Sequence, residues 1–240
     1  MGSKNRHAKE LLPIILKNRR DDQWYVEPFV GGFNMIDKVL GLRLANDSHY
    51  YLIELFRAIQ NGWVPPYNLS EEEYKDIKNN QESYSSYLVG FVGFGCSFSG
   101  KWFGGYARGL SSNGQPRNYC LESKDNILKQ NSKIQGVVIE NKSYLELEIP
   151  DNSIIYCDPP YQNTTSYFKN LGANSKSLSS SFNHEIFWDW VRDKSKEGRQ
   201  VFVSEYSAPE DFKCVWEKEV ISALDVNSRS KKNVEKLFSQ

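Results

Sequence analysis

The sequence predicts a mostly parallel α/β sheet interrupted by one inserted, loop-rich subdomain. Short apolar runs of strand type alternate with helical segments along most of the chain. Three turns, at Gly31-Gly32, Asn46-Asp47 and Asp158-Pro159-Pro160-Tyr161, fall where such runs end. Open α/β sheets bind their ligands at the carboxyl ends of strands, so these turns mark a candidate site. Between residues 63 and 118 the alternation stops, and residues 93–114 are rich in Gly, Ser and aromatics.

The elements follow in order. Residues 11–16 predict a short apolar helix after a basic start, and residues 24–29 a buried strand stopped by Gly31-Gly32. A helix is expected over 34–40 and a second strand over 42–45, ending at Asn46-Asp47. Leu52, Leu55, Phe56 and Ile59 have helical spacing, closed by Asn61-Gly62. Within the insertion, 71–79 and 84–91 predict helices. Regular alternation returns with a helix over 124–132, a strand over 136–139 and a strand over 153–157 that runs into Asp158. Residues 163–181 are polar and rich in Ser and Asn, which predicts a mobile loop. A helix over 183–196 has Ile186, Phe187, Trp190 and Val191 on one side; strands are expected over 200–203, 215–221 and 235–238.

The chain has 240 residues, 39% hydrophobic and 14% aromatic, enough to bury a core in one domain plus an insertion. Thirty basic residues balance thirty acidic ones, so bulk charge announces no polyanionic partner. A nucleic-acid enzyme of this composition must concentrate its positive charge on one face. Lys and Arg do cluster over 101–117 and in Arg229-Ser230-Lys231-Lys232. The four cysteines, Cys96, Cys120, Cys157 and Cys214, form no C-x-x-C pair and suggest neither a zinc site nor a disulfide framework. Reduced thiols fit a cytoplasmic compartment. No signal peptide or membrane span is read, and a soluble intracellular protein is expected.

Each marked turn has a functional and a bland reading. Two glycines after a strand let backbone approach a ligand closely, or merely turn the chain. Asp47 is placed to hydrogen-bond the ribose hydroxyls of a nucleoside ligand, or to cap the helix that follows. The order strand, Gly turn, helix, strand, acid favours a nucleoside cofactor, while the missing G-x-G-x-x-G fingerprint disfavours a dinucleotide. Asp158-Pro159-Pro160-Tyr161 is the most specific signal. The prolines remove two amide donors and stiffen the turn. An exocyclic amine then has two acceptors, the Asp158 carboxylate and the Pro159 carbonyl, and its lone pair is turned toward an electrophile. Tyr161 adds a ring able to stack on a base. A surface Pro-Pro turn explains neither the tyrosine nor the apolar strand before it. Lys101, Arg108 and Arg117, interleaved with Trp102, Phe103 and Tyr106, read as DNA contacts or as ordinary solvated charges. Cys157 reads as a buried thiol rather than a nucleophile, and His7, His49 and His184 as cap or surface residues.

On these motifs the chain resembles the Dam-type DNA adenine-N6 methyltransferases, especially their phage-encoded members. Gly2-Ser3-Lys4 resembles the family's N-terminal Gly-Gly-Lys motif, and residues 27–33 its first cofactor loop. Asn46-Asp47 resembles the ribose-binding acid, and Ser143-Tyr144 the segment lining the cofactor adenine. Asp158 to Tyr161 matches the catalytic tetrapeptide, and residues 231–237 resemble the closing basic segment and last strand. The resemblance implies a Rossmann-like S-adenosylmethionine-dependent fold over 1–62 and 119–240, with a mostly helical target-recognition subdomain over 63–118. It implies catalytic roles for Asp158, Pro159, Pro160 and Tyr161. It implies cofactor contacts from Lys4, Pro28, Phe29, Gly31, Gly32, Asn34, Asp47, Ser143, Tyr144 and Asp158. DNA contacts are implied for Lys101, Trp102, Arg108, Arg117, Lys231 and Lys232. The implied partner is double-stranded DNA, read by a monomer or weak dimer in a bacterial or phage-infected cell, with no metal and no membrane.

Two departures stand out. The aromatic that usually precedes the N-terminal motif is missing, and the first loop reads Gly31-Gly32-Phe33 where the family has Gly-x-Gly. Either is expected to weaken cofactor affinity. The same two acceptors would also serve N4 of cytosine or an amine on RNA. A nucleic-acid-binding module without catalysis is the alternative of another class, and a nucleotide-binding oxidoreductase is a weaker third.

Overall fold

The structure is a computed structural model that describes residues 4–161, 182–222 and 231–240. The mobile loop expected over 163–181 lies outside these residues. A seven-stranded sheet organises the chain, in the order β3-β2-β1-β4-β5-β7-β6. Its strands are β1 (Tyr25–Glu27), β2 (Arg43–Asn46), β3 (Val138–Glu140), β4 (Ile154–Cys157), β5 (Gln200–Glu205), β6 (Lys213–Ser222) and β7 (Lys231–Ser239). The first five are parallel. β7 inserts antiparallel beside β5, and β6 pairs antiparallel outside it.

Period-2 alternation sorts side chains onto two cores. Tyr25, Ala45, Ile154 and Tyr156 join one apolar cluster, beneath α1 (Ala8–Ile15), α2 (Tyr50–Gln60) and α5 (Tyr119–Ile134). Val26, Leu44, Ile155 and Cys157 join the other, covered by Phe187, Trp188, Trp190 and Val191 of α6 (His184–Lys196). Central strands covered on both faces read as continuous apolar runs, which is why β4 is buried throughout.

The insertion holds α3 (Glu71–Asn79), started by a capping box between Ser70 and Glu73, and α4 (Ser86–Gly90), which continues as one π-helical turn over Phe91–Gly95. Its first half is helical, as expected. Its second half is not: from Cys96 to Asn118 the chain makes only a 3-10 turn and the isolated bridges Ser97–Tyr106 and Leu110–Pro116. Tyr74, Ile77, Val89, Phe91 and Trp102 belong to the same cluster as the sheet residues Tyr25 and Ile154, so the insertion shares the sheet's core.

Two expectations are corrected. No α-helix spans 34–40; a single 3-10 turn, Ile36–Lys38, fills the gap. Left-handed backbone at Phe33 (φ 59°) and at Gly41 (φ 79°) bounds the segment and leaves too few residues for a stable helix. The helix expected over 124–132 begins five residues earlier, because the Asn118 side chain caps it by accepting from Leu121 N. The cysteines, distant in sequence, are not all distant in space. Cys96, at the end of the π-turn, and Cys120, in the first turn of α5, are buried in the same apolar cluster, and both are free thiols.

Candidate active site

The carboxyl ends of β1, β2 and β3 are tied together by two adjacent side chains. Asn46, fully buried, donates from Nδ2 to the carbonyls of Pro28 and Lys142 and accepts from Lys142 N, all at 2.9–3.0 Å. One side chain thus fixes the loops after β1 and β3. Asp47 does the same for the Gly turn. Its Oδ2 accepts from Gly31 N at 3.0 Å and its Oδ1 from His49 N at 2.9 Å. Burial raises the Asp47 carboxyl, and the two backbone donors oppose that. The helix after it is capped by His49, not by Asp47: the imidazole Nδ1 accepts from Leu52 N. The bland reading of Asp47 as a cap of α2 therefore does not hold.

The Gly-Gly-Phe turn has its own solution. Gly31 is left-handed at φ 49°, which glycine adopts freely. Phe33 is left-handed too, at φ 59°, a conformation a bulky residue rarely takes. Its ring is fully buried and stacks on Phe56 with centroids 3.9 Å apart, and that burial offsets the backbone strain. The phenylalanine acts as a core anchor below the turn.

Phe29 and Tyr144 are brought side by side, ring centroids 5.1 Å apart, in an aromatic group with Phe182 and Phe187. Ser143 and Asn34 are half-buried on the neighbouring loops. Glu27, at the end of β1, is 2% exposed, and its Oε1 has no hydrogen-bond partner. Burial pushes this carboxyl well above the usual carboxylate range. The Tyr25 hydroxyl interacts with this carboxyl and eases its burial, but Oε1 is left as an acceptor that a ligand could use. An amine or hydroxyl of a bound nucleoside or amino-acid ligand fits that need.

The tetrapeptide follows β4. The Asp158 side chain is 26% exposed, and its Oδ1 lies 3.5 Å from the ammonium of Lys4, which is 8% exposed. Lys4 sits in a 3-10 turn, Lys4–Arg6, at the start of the described chain. Its Nζ lies 2.6 Å from Glu235 Oε2 of β7 and also hydrogen-bonds the Tyr161 hydroxyl. The same hydroxyl lies 3.1 Å from Glu235 Oε2, and the ammonium lies 4.6 Å from the centre of the Tyr161 ring. Tyr206, just after β5, packs edge-on against Tyr161 at 4.7 Å. Burial works to discharge Lys4, but Asp158 and Glu235 outweigh it and hold the ammonium above the usual lysine value. Burial raises the Asp158 carboxyl; Lys4 pulls it down and Glu235 pushes it up.

The implied DNA contacts divide. Lys101 is exposed. Arg108 is also exposed but pairs with Glu71, and Arg117 pairs with Glu122 while lying 4.4 Å over the Tyr119 ring. Trp102 is not presented to a ligand. It is 6% exposed, stacks on Tyr51 at 5.4 Å and meets His49, Phe94 and Phe103 edge-on or tilted. A Cβ on Gly93 would lie 2.3 Å from its ring, so the indole occupies space that only a glycine leaves open. The apolar indole is worth more in the core than at the surface. The backbone of Lys231 and Lys232 lies in β7; their side chains are outside the described residues.

Glu235 was not singled out in the sequence, although a signal exists. It stands two residues before Leu237, which is fully buried, and so falls on the core-facing register of its strand. Glu27 was read only as the first residue of its loop. A cavity of about 530 Å³ lies at the opposite end of the sheet among Ile14, Lys17, Ser195, Phe202 and Gln240, and contains none of these residues. Among the described residues no cluster of metal-ligating side chains occurs, and no helix is long and apolar enough to cross a membrane.

A parallel sheet extended by an antiparallel β7, with its ligand-type turns gathered at the carboxyl ends, defines a Rossmann-like methyltransferase fold. The model of the D12 class N6 adenine-specific DNA methyltransferase family matches residues 1–91 and 112–231. The chain belongs to that family, and it is a DNA adenine-N6 methyltransferase.

Proposed function

We propose that the chain methylates N6 of an adenine flipped out of double-stranded DNA, with S-adenosylmethionine as donor. The observation that carries this reading is the convergence of Asp158 and Tyr161 with the tied loops of β1, β2 and β3 at one end of the sheet. A base within the stack cannot present its amine to such a centre, so the target nucleotide leaves the duplex. Asp158 and the Pro159 carbonyl accept the two amine hydrogens, and Tyr161 stacks on the base. Pro160 and Pro159 hold the turn rigid.

The cofactor's sulfonium supplies an electrophilic methyl group. Asp47 holds its ribose, Phe29 and Tyr144 flank its adenine, and Glu27 accepts from its amino group. Lys4, Pro28, Gly31, Gly32, Asn34 and Ser143 line the same cradle. The protein's part is positioning of two reactants together with a carboxylate that meets the amine as it gains positive charge.

Residues 63–118 form the target-recognition subdomain, set into a catalytic domain of residues 1–62 and 119–240. Its exposed Lys101, Arg108 and Arg117 contact DNA together with Lys231 and Lys232. The reduced cysteines fit work in the cytoplasm of a bacterial or phage-infected cell.

Asp47→Ala tests the cofactor half of this reading. Loss of hydrogen bonds to a charged group costs about 1.5–3 kcal/mol. The dissociation constant for S-adenosylmethionine, measured by calorimetry, is therefore expected to rise roughly 10- to 150-fold. An unchanged constant in a folded variant would remove Asp47 from the site.

A further inference from the structure

We propose that Glu235 is a positioning residue of the methyl-transfer centre: it draws Lys4 away from Asp158 and anchors the Tyr161 hydroxyl, leaving the Asp158 carboxylate available to the target amine. This rests on the role given to Asp158 above.

The geometry is unequal. Lys4 Nζ lies 2.6 Å from Glu235 but 3.5 Å from Asp158. The first distance is a close charge-assisted hydrogen bond; the second is beyond the usual range for one. Coulomb attraction falls with distance, so the Glu235 pair is stronger by about a third at equal dielectric. Two carboxyl groups thus share one buried ammonium. If Glu235 were neutral, Lys4 would be free to close on Asp158. The carboxylate would then spend its lone pairs on an ammonium and become a poorer acceptor for the amine.

The other groups around Asp158 do not take over this role. Cys157 and Tyr156 on its own strand, Tyr161 in its turn and Tyr206 after β5 are all held neutral. Burial pushes the Glu27 carboxyl on β1 upward, away from its charged form. Lys4 and Glu235 are the charges that face it among the described residues. A purely structural role for Glu235 predicts something different, namely lost stability with an unchanged titration of the centre.

Glu235→Gln separates the two, because it keeps the shape and an acceptor for Tyr161 while removing the charge. Single-turnover methyl transfer to duplex DNA is measured across pH with saturating S-adenosylmethionine, beside the parent. The plateau rate is expected to fall about tenfold, the size of one lost charge-assisted interaction of about 1.4 kcal/mol, and the acid limb of the profile to move to lower pH. The sign follows from Asp158 having to be ionised: without Glu235 its proton is held less tightly. An unmoved acid limb, or a rate within twofold of the parent throughout, overturns the proposal. If Glu235→Gln does not fold, Glu235→Asp keeps the charge and must keep the parent's acid limb; a shifted limb there overturns it as well. Failure of the underlying reading shows separately, as an Asp158→Ala enzyme that transfers methyl at the parent rate.

Discussion

Asp158→Ala is expected to remove nearly all methyl transfer while leaving a folded, DNA-binding protein. The carboxylate accepts from an amine that gains positive charge as the methyl arrives, so its contribution is greatest in the transition state. Deleting one preorganised hydrogen-bonding group of this kind costs about 10²–10³-fold in rate. The folding cost is smaller. Asp158 is one-quarter exposed, and its contact with Lys4 is the longer of that lysine's two ion pairs. Its loss leaves Lys4 paired with Glu235 rather than stranded. A turn-capping role would give the reverse pattern, a stability loss of roughly 0.5–2 kcal/mol with normal chemistry in the folded fraction. Single-turnover kinetics at saturating cofactor, read beside a denaturation curve, distinguishes them.

Trp102→Ala is expected to be the most damaging change in the insertion, and the damage should be to stability. Removing a fully packed tryptophan costs about 3–5 kcal/mol, a large part of the 5–15 kcal/mol that typically holds a domain together. The indole fills the space between Tyr51 of α2 and the π-turn, against His49 and Phe94. Burial holds that imidazole neutral, down to about 4, so an apolar neighbour suits it. Lys101→Ala, one residue away but exposed, is expected to leave the denaturation midpoint unchanged. It should weaken DNA binding instead, and flatten the logarithmic salt dependence by about one unit. A Trp102→Ala protein as stable as the parent but deficient in DNA binding would restore the tryptophan to the DNA face.

This pair of neighbours shows where the sequence was legible. Strand-helix alternation revealed the sheet, and the strand ends carrying Gly31-Gly32, Asn46-Asp47 and Asp158 were readable because special turn chemistry interrupts apolar runs there. The insertion was harder. Lys101 and Trp102 share one Gly-rich stretch with no periodicity to separate a core face from a solvent face. Only the space left by Gly93, nine positions earlier, tells that the indole turns inward. Capping chemistry moved the start of α5 to Tyr119, a local hydrogen bond that an apolar pattern cannot report. Phe33 departed from an expected glycine and seemed a defect in a ligand loop; its partner Phe56, twenty-three residues on, makes it an anchor. Glu235 was hidden for the opposite reason. It lies in a mostly basic stretch, Lys231 to Lys236, and its importance comes from Lys4, at the other end of the chain.

The most direct test is the identity of the product. Purified protein is incubated with double-stranded DNA and methyl-labelled S-adenosylmethionine, the DNA is digested to nucleosides, and these are resolved by mass spectrometry. The account predicts that the label appears in N6-methyldeoxyadenosine, dependent on Asp158. Label in N4-methyldeoxycytidine, or none in DNA from a protein that binds both substrates, would contradict it.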